Sequence, residues 1–311
     1  MHRFFVDQSD IDMENGICRI RGKDVNHIGT VLRMKKGEQI LLSTGIREDE
    51  VEYLCEIDEI GPDEVSARIL DLQKRARELP LDLYLFQAIP KGDRFETVIE
   101  KGVELGVHEI VPVQSARCIV KLDEKRAEKK TARWNALALS AAKQSKRSFV
   151  PVVERPVGWA DALALAKGLD KIVVPYENAK GMRHTREVIA GLKELCGGKE
   201  SAAESSGCGG KESAAESSGC SGKESAAESS GYGGKESAAE SSGYGSKESG
   251  ERKKPGSVGI FIGPEGGFEE KEILQLQEIG AEIITLGHRI LRTDTAGIAV
   301  LSMLMLHLEE D

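Results

Sequence analysis

The last fifty residues of this 311-residue chain show one pattern twice: a short apolar strand, a glycine-containing loop and a helix. In the first copy, an apolar stretch at 258–262 leads into the loop 263–268 (GPEGGF) and an acidic helix start. In the second, an apolar stretch at 283–286 leads into the polar loop 287–296, and a helix is expected over 297–308. This layout is typical of ligand-binding α/β proteins. Two such loops lying close together can enclose one small molecule.

The two loops also have a purely conformational interpretation. Glycine turns between a strand and a helix are common in α/β proteins, because glycine adopts positive φ. Neither loop contains the fingerprint GxGxxG or GxxxxGK[ST]. However, polar residues interrupt the otherwise apolar second copy, and consecutive polar residues before a buried helix usually cap it or serve a ligand. These polar residues are Arg289, Arg292, Thr293, Asp294 and Thr295.

Four segments together resemble one known family. The loop 263–268 and the segment 286–296 (LGHRILRTDTA) resemble the C-terminal signature of the RsmE family of 16S ribosomal RNA uridine N3-methyltransferases, in the SPOUT superfamily. Segments 27–37 (HIGTVLRMKKG) and 87–107 (QAIPKGDRFETVIEKGVELGV) extend the resemblance. It implies an α/β fold, with a SPOUT-type trefoil-knotted methyltransferase domain and a smaller N-terminal PUA-like β-barrel. Sequence periodicity alone would not predict a knot, because knots are almost absent from proteins.

The pattern of strands and turns predicts two domains, in line with the length. Residues 1–72 alternate short β-like runs with turns, which suggests a small barrel that the resemblance identifies as PUA-like and RNA-binding. A charged linker is expected at 73–80. Residues 81–311 then alternate strands and helices, which predicts the α/β methyltransferase domain.

Residues 197–254 interrupt this second domain with a low-complexity repeat. Four copies of KESAAESSG recur every 12 residues, and a degraded fifth copy begins at Lys247. Solenoid repeats are longer and carry apolar positions that stack, and these carry almost none. The segment is therefore predicted to be a disordered insertion between two intact strands.

Composition restricts the compartment and the bound groups. The N-terminus MHRFFVDQSD lacks the apolar core of a secretory signal, and the longest apolar run, 296–308, is shorter than the ~20 residues of a membrane span. No membrane contact is therefore expected. The six cysteines show no CxxC pair, so neither a metal site nor a disulfide framework is expected. These features predict a cytoplasmic protein.

The distribution of charge predicts an RNA-binding surface despite the net charge of -9. Residues 73–196 carry an excess of seven positive charges, and residues 117–155 account for it with eleven basic and four acidic side chains. A solvated helix face is the alternative explanation. With the resemblance, contact with the RNA backbone is favoured. The candidate RNA-binding residues are Lys91, Arg94, Arg117, Lys129, Lys130, Arg133 and Arg147.

The resemblance also implies the site and its cofactor, S-adenosyl-L-methionine, held largely by main-chain groups. The implied cofactor-binding residues are Glu177, Ile262, Gly263, Pro264, Glu265, Gly266, Gly267, Leu286, Gly287, Arg289, Ile290 and Leu291. The candidate catalytic residues are Arg292, Arg289 and Asp294. An arginine would stabilise negative charge developing on the uracil, and Asp294 would orient that arginine or take the imide proton. His27 and Arg33 could contact the substrate, but a lone histidine beside apolar residues is more often structural. Neither is therefore predicted as a site residue.

The sequence therefore predicts an enzyme that methylates N3 of a uridine in the 16S rRNA of the small ribosomal subunit. The resemblance further implies a homodimer with the last helix at the interface. Two alternatives stay open: a related methyltransferase acting on another RNA, and a non-catalytic RNA-binding protein on the same fold.

Overall fold

The computed structural model of the chain describes residues 1–47, 49, 51–74, 78–179, 181–196 and 255–309. The predicted disorder of 197–254 lies outside these residues. Within them, no helix is both long and apolar enough to cross a membrane. In chain order the elements are β1 (His2–Phe5), β2 (Ile11–Asp12), β3 (Ile17–Arg21), α1 (Lys23–Asn26), β4 (Gln39–Ser43), β5 (Val51–Ile60), β6 (Glu64–Lys74), β7 (Asp82–Ala88), α2 (Arg94–Glu104), β8 (Glu109–Gln114), α3 (Glu124–Gln144), β9 (Val152–Val153), β10 (Val157–Gly158), α4 (Trp159–Ala166), β11 (Lys171–Pro175), α5 (Met182–Gly191), α6 (Lys193–Cys196), β12 (Ser257–Ile262), α7 (Glu270–Glu278), β13 (Glu282–Ile284) and α8 (Thr293–Leu308), with short helical turns at Gln8–Asp10 and His27–Val31.

The N-terminal region is one six-stranded sheet with the strand order β1-β4-β5-β6-β3-β2. Only β1 and β4 pair in parallel, and the remaining neighbours are antiparallel. Alternate residues of the curved strands enclose a separate core that includes Ile20, Ile40 and Ile57. Short β-branched runs divided by turns favour this arrangement, since period-2 apolar positions all face one side of a strand.

The linker in the structure is shorter than the predicted 73–80. Strand β6 extends to Lys74, so two of the predicted linker residues belong to the sheet. Leu79 is buried in the core of the following domain, and Glu78 is ion-paired within the protein. Residues 75–77 lie outside the described ranges.

The second region is a seven-stranded sheet in which every pair is parallel. The order β10-β8-β7-β12-β11-β13 places β12 between β7 and β11, with β9 joined to β8. Parallel strands buried on both faces are nearly continuously apolar, as β12 is after Ser257 and as 83–86 of β7 are. The largely parallel sheet expected from the resemblance is confirmed.

Helices cover both faces of this sheet. Leu83, Leu85 and Ile260 point into a core shared with α2, α3 and α8. Phe86 and Phe261, which point the other way, stack with ring centroids 4.3 Å apart in a core shared with α4 and α7. The alternation of side chains along each strand sends neighbouring residues into different cores.

One predicted boundary is wrong. Helix α8 begins at Thr293 and not at Gly297, so Asp294 and Thr295 lie in its first turn. Gly297 is buried inside the helix. The polar loop before α8 is correspondingly shorter, and it ends at Arg292, the helix N-cap residue.

Candidate active site

A cavity of about 390 Å³ opens at the carboxyl ends of β11, β12 and β13. The two glycine loops after β12 and β13 form most of its wall. This is the edge at which parallel α/β sheets bind ligands, and the volume is in the ~300–1,000 Å³ range of ligand pockets. The lining residues are Arg94, Pro175, Tyr176, Glu177, Ile262, Gly263, Pro264, Glu265, Gly267, Phe268, Thr285, Leu286, Gly287, Arg289, Ile290, Leu291, Arg292, Thr293 and Ala296.

The first loop is held in a tight turn. The Gly267 amide donates to the carbonyl oxygen of Pro264 at 2.9 Å, and Gly267 has φ +68°, where a residue with a Cβ is strained. The Glu265 carboxylate accepts a hydrogen bond from the Lys91 amide at 3.0 Å, and it lies 3.6 Å from an Arg94 guanidinium nitrogen. The segment after β7 therefore braces this loop from outside.

Gly266 is the one predicted cofactor residue that does not line the cavity. Its carbonyl oxygen accepts a hydrogen bond from Arg117 Nη1 at 2.9 Å, on the side facing the loop after β8. Arg117 was predicted to bind RNA, and it is exposed beside the cofactor loop. It can both support that loop and present its remaining donors to phosphate.

The second loop is fixed by a buried threonine on α5. Thr185 Oγ1 donates to the carbonyl oxygen of Thr285 at 3.0 Å and accepts a hydrogen bond from the Thr285 amide at 3.1 Å. Thr285 lines the cavity and also contacts Gly287 at 3.3 Å, where φ is +109°. Thr185 was not predicted as a site residue. A lone threonine in an amphipathic helix carries no local signal that it will bond to the backbone of a distant loop.

A second buried contact joins the first loop to α8 and β7. Thr293 Oγ1 donates to the carbonyl oxygen of Gly263 at 2.5 Å. Thr293 Oγ1 in turn accepts a hydrogen bond from Gln87 Nε2 at 2.9 Å. Gln87 was not predicted either, although it is the one amide side chain in the apolar stretch 83–89.

The mouth of the cavity presents exposed cationic side chains. Arg289, Ile290 and Arg292 are all exposed, and Ile290 is 86% exposed. Among the described residues, neither arginine of this loop forms an ion pair. Both guanidinium groups are therefore available to an anionic or electron-rich ligand.

The expected pairing of Asp294 with one of these arginines is absent from the described residues. Asp294 does not line the cavity, and its Oδ1 is buried without a hydrogen-bond partner among them. Its position in the first turn of α8, away from the cavity wall, explains the difference. The proposed role in orienting an arginine is not supported by this geometry.

The remaining candidate RNA-binding residues divide by exposure. Lys91 and Lys129 are exposed. Lys130 is half-buried, with Nζ 5.7 Å from the centre of the Trp134 ring. Arg133 is exposed but donates to Glu96 at 2.7 Å. Lys129, Lys130 and Arg133 give α3 a basic surface.

Arg147 does not belong to that surface. Its guanidinium is buried, donates to the carbonyl oxygens of Val103 and Val107 at 3.1 and 2.7 Å, and pairs with Glu78. Because all of these partners are internal, Arg147 is not available to RNA, and the prediction that it binds RNA is corrected. Lys143 is likewise used internally, since it pairs with Asp24 of the N-terminal region at 2.9 Å.

Comparison with known families identifies the family to which this chain belongs. A family model described as an RNA methyltransferase domain matches residues 77–204 and 233–305, and one described as an RNA methyltransferase PUA domain matches residues 20–70. The ribosomal RNA small subunit methyltransferase E of Bacillus subtilis (strain 168) is 33% identical over 303 residues, which cover 97% of this chain and 95% of that protein. The chain belongs to the ribosomal RNA small subunit methyltransferase E family.

Solved structures agree with this family assignment. A ribosomal RNA small subunit methyltransferase E from Neisseria gonorrhoeae, bound to S-adenosyl methionine, has a TM-score of 0.65 and 26% identity, covering 98% of this chain and 97% of that one. A putative methyltransferase from Legionella pneumophila, in complex with the bound cofactor SAM, has a TM-score of 0.64 and 27% identity, covering 98% of this chain and 96% of that one. The SPOUT-type α/β fold with a PUA-like N-terminal region is confirmed. The knot stays a prediction.

Proposed function

We propose that this chain transfers a methyl group from S-adenosyl-L-methionine to N3 of a uridine in small-subunit ribosomal RNA. The cavity carries the proposal, because both signature loops of the family meet there beside Arg289 and Arg292, which form no ion pair with any described residue. Two structural relatives are bound to the same cofactor. In this proposal the reducing cytoplasm is the working compartment.

The residues that line the cavity fit S-adenosyl-L-methionine. Its lining includes glycines, which expose backbone groups, and apolar side chains, which suit an adenine ring. It also includes Glu177, Glu265 and three arginines. Main-chain groups of the loops 263–267 and 286–291 would hold the adenosine and methionine parts. When bound, the cofactor supplies an electrophilic sulfonium methyl group.

The protein's own contribution to the reaction is placement and charge. A uridine N3 becomes nucleophilic when the imide proton is lost, and negative charge then develops on O2 and O4 of the base. An exposed arginine at the cavity mouth favours that anion by charge and hydrogen bonding. Arg292 is the leading candidate, because it lies at the cavity mouth and its backbone position is fixed as the N-cap of α8. Arg289 serves as the second candidate.

The RNA would approach across the basic surface of α3 and the loops after β7 and β8. Lys91, Arg94 and Arg117 lie close to the first loop, and Lys129, Lys130 and Arg133 lie on α3. Contacts of this kind bind the phosphate backbone and place it without reading its sequence.

The proposed homodimer uses α8. Leu306 on this helix is 79% exposed, and Met303 and Met305 are half-buried. An exposed apolar helix face is stabilised when a second copy covers it. Sedimentation at micromolar concentration should show a dimer, and Leu306→Glu should shift it toward monomer.

The reaction is tested by mass spectrometry of nucleosides from 16S rRNA. A strain lacking the gene should lose 3-methyluridine, and the wild-type chain, but not Arg292→Ala, should restore it. The 16S rRNA from the strain lacking the gene, free or in assembled 30S subunits, then serves as substrate for the purified protein. Restoration of a different modified nucleoside would indicate another RNA reaction. Absence of S-adenosyl-L-methionine binding in calorimetry would favour the non-catalytic alternative.

A further inference from the structure

Gln87 is a completely buried amide within the apolar strand β7. Its Nε2 donates to the carbonyl oxygen of Ala88 at 3.1 Å and to Thr293 Oγ1 at 2.9 Å. Its Oε1 has no hydrogen-bond partner among the described residues. Burying an amide with one unsatisfied group is less favourable than burying an apolar side chain. Packing in the core therefore does not explain why residue 87 is a glutamine.

The contact with Thr293 gives Gln87 a directional effect. A threonine hydroxyl has one hydrogen to donate and lone pairs that accept. Because Thr293 Oγ1 accepts from Gln87, its own hydrogen is directed to the carbonyl oxygen of Gly263, at 2.5 Å. Three segments far apart in the chain are thus joined in one line: β7, the first turn of α8, and the start of the loop 263–268.

Gly297 of α8 packs closely against the Gln87 amide. A Cβ added to Gly297 would lie 2.9 Å from Gln87 Oε1. Real Cβ atoms essentially never show so short a distance, so an alanine at position 297 would displace the Gln87 amide. Gln87 itself does not line the cavity, but Thr293 and Gly263 both do.

We propose that Gln87 is a positioning residue for the methyl donor and acts through Thr293 on the Gly263 carbonyl and the loop that follows. This inference rests on the proposed function. The loop 263–268 binds by its backbone, so its affinity for a ligand depends on how well the ligand-free loop already holds the bound shape. The buried chain of hydrogen bonds from Gln87 through Thr293 to Gly263 holds the ligand-free loop in that shape.

The test measures loop order and cofactor affinity separately. Hydrogen exchange of the peptide 262–268 is followed in the ligand-free protein, and S-adenosyl-L-methionine binding is followed by calorimetry. The variants are Gln87→Met, which keeps the length without the amide, Thr293→Val, which keeps the shape without the hydroxyl, and Thr293→Ser, which restores the hydroxyl. Thr131→Val is the matched control, because the Thr131 hydroxyl is buried on α3 with no partner among the described residues.

Gln87→Met and Thr293→Val should each speed exchange of the loop and weaken cofactor binding by about tenfold, as expected for one lost buried hydrogen bond. The double variant should be little worse than Thr293→Val alone, because both changes break the same line. Thr293→Ser should recover most of the affinity, and Thr131→Val should change neither readout. Gly297→Ala, which crowds the amide, should resemble Gln87→Met.

Each outcome decides between the two proposals. If the wild type binds the cofactor and Gln87→Met binds it equally well with unchanged loop exchange, the positioning role is wrong. If the wild type binds no cofactor while Gln87→Met still speeds exchange of the loop, the proposed function fails, and Gln87 orders the loop without a role in binding the methyl donor. Should Gln87→Met fail to fold, Thr293→Val against Thr293→Ser decides alone.

Discussion

Arg147 and Glu78 form a buried ion pair, with Arg147 Nη2 2.5 Å from Glu78 Oε2 and both side chains about 5% exposed. Glu78 precedes the methyltransferase sheet, and its other oxygen accepts from the Ser148 amide at 3.2 Å. The Lys146 carbonyl oxygen next to this pair accepts a hydrogen bond from Arg3 of β1. The segment after α3 therefore fastens the connection between the two sheets.

Removing one partner of this pair should destabilise the protein. Arg147→Met should lower the free energy of unfolding by about 3–5 kcal/mol, because Glu78 would keep a buried charge without its partner. Urea denaturation measures the change. Arg126→Met is the control, since Arg126 pairs with Asp123 at the surface and such pairs contribute about 0–1 kcal/mol. Loss of RNA affinity in Arg147→Met with unchanged stability would show instead that Arg147 binds RNA.

The basic surface predicts RNA binding that weakens with salt. If about five of its side chains contact phosphates of single-stranded RNA, log K should fall with log salt with a slope of roughly -3.5. Charge reversal of Lys129, Lys130 and Arg133 together should flatten that slope. Filter binding across a salt series measures it. An unchanged slope in the triple variant would remove α3 from the footprint.

Arg292 should affect the reaction more than cofactor binding. Arg292→Ala should slow methyl transfer by about a hundredfold or more, in line with the loss of one preorganised donor, while the cofactor dissociation constant stays nearly unchanged. Arg292→Lys should recover only part of the rate, because it keeps the charge but loses the two-pronged geometry. The single-turnover rate should rise with pH across the neutral range. Arg289→Ala is the comparison within the loop, and a larger loss of rate there would assign the catalytic role to Arg289. Equal losses in rate and cofactor affinity for Arg292→Ala would make it a cofactor ligand.

The carboxyl of Glu109 should make stability depend on pH. Burial, and then the negative charge of Glu154, raise the pKa of Glu109 from 4.5 to about 7. The folded state therefore holds this proton more tightly than the unfolded state, so its contribution to stability falls as the pH rises from about 4.5 and levels off above about 7. Glu109→Gln should raise the melting temperature at pH 8 relative to wild type, with a smaller gain or none at pH 4.

Glu154→Gln is the companion variant for this prediction. It removes the second cause of the shift but leaves the burial, so it should raise the melting temperature at pH 8 by less than Glu109→Gln does. Parallel melting curves of wild type and Glu109→Gln at every pH would show that Glu109 is not the group responsible.

The sequence predicted what local patterns can encode. The short strands within 1–72, the alternation of strands and helices after residue 81 and the two cavity loops all follow from apolar periodicity and turn residues. The start of α8 was missed because Gly297 is a common helix boundary in sequence, whereas here it is an interior glycine that makes room for Gln87.

The contacts that hold the loops were outside the reach of local patterns. Gln87 and Thr293 are 206 positions apart, and Thr185 and Thr285 are 100 apart. Arg147 was misassigned for a related reason: it lies in a basic run, and only the fold reveals that its partners are the buried Glu78 and two carbonyl oxygens.

The described residues on either side of 197–254 lie close together. Gly256 lies against Leu195, since a Cβ added to Gly256 would be 2.9 Å from the Leu195 Cβ. This junction is at the amino end of β12, whereas the cavity is at its carboxyl end. Replacing 197–254 with a short Gly/Ser linker should therefore leave the melting temperature and methylation nearly unchanged. Loss of a cooperative thermal transition would contradict this. The length of this segment is then a nearly neutral trait, and relatives can gain or lose residues here without altering the chemistry at the opposite edge of the sheet.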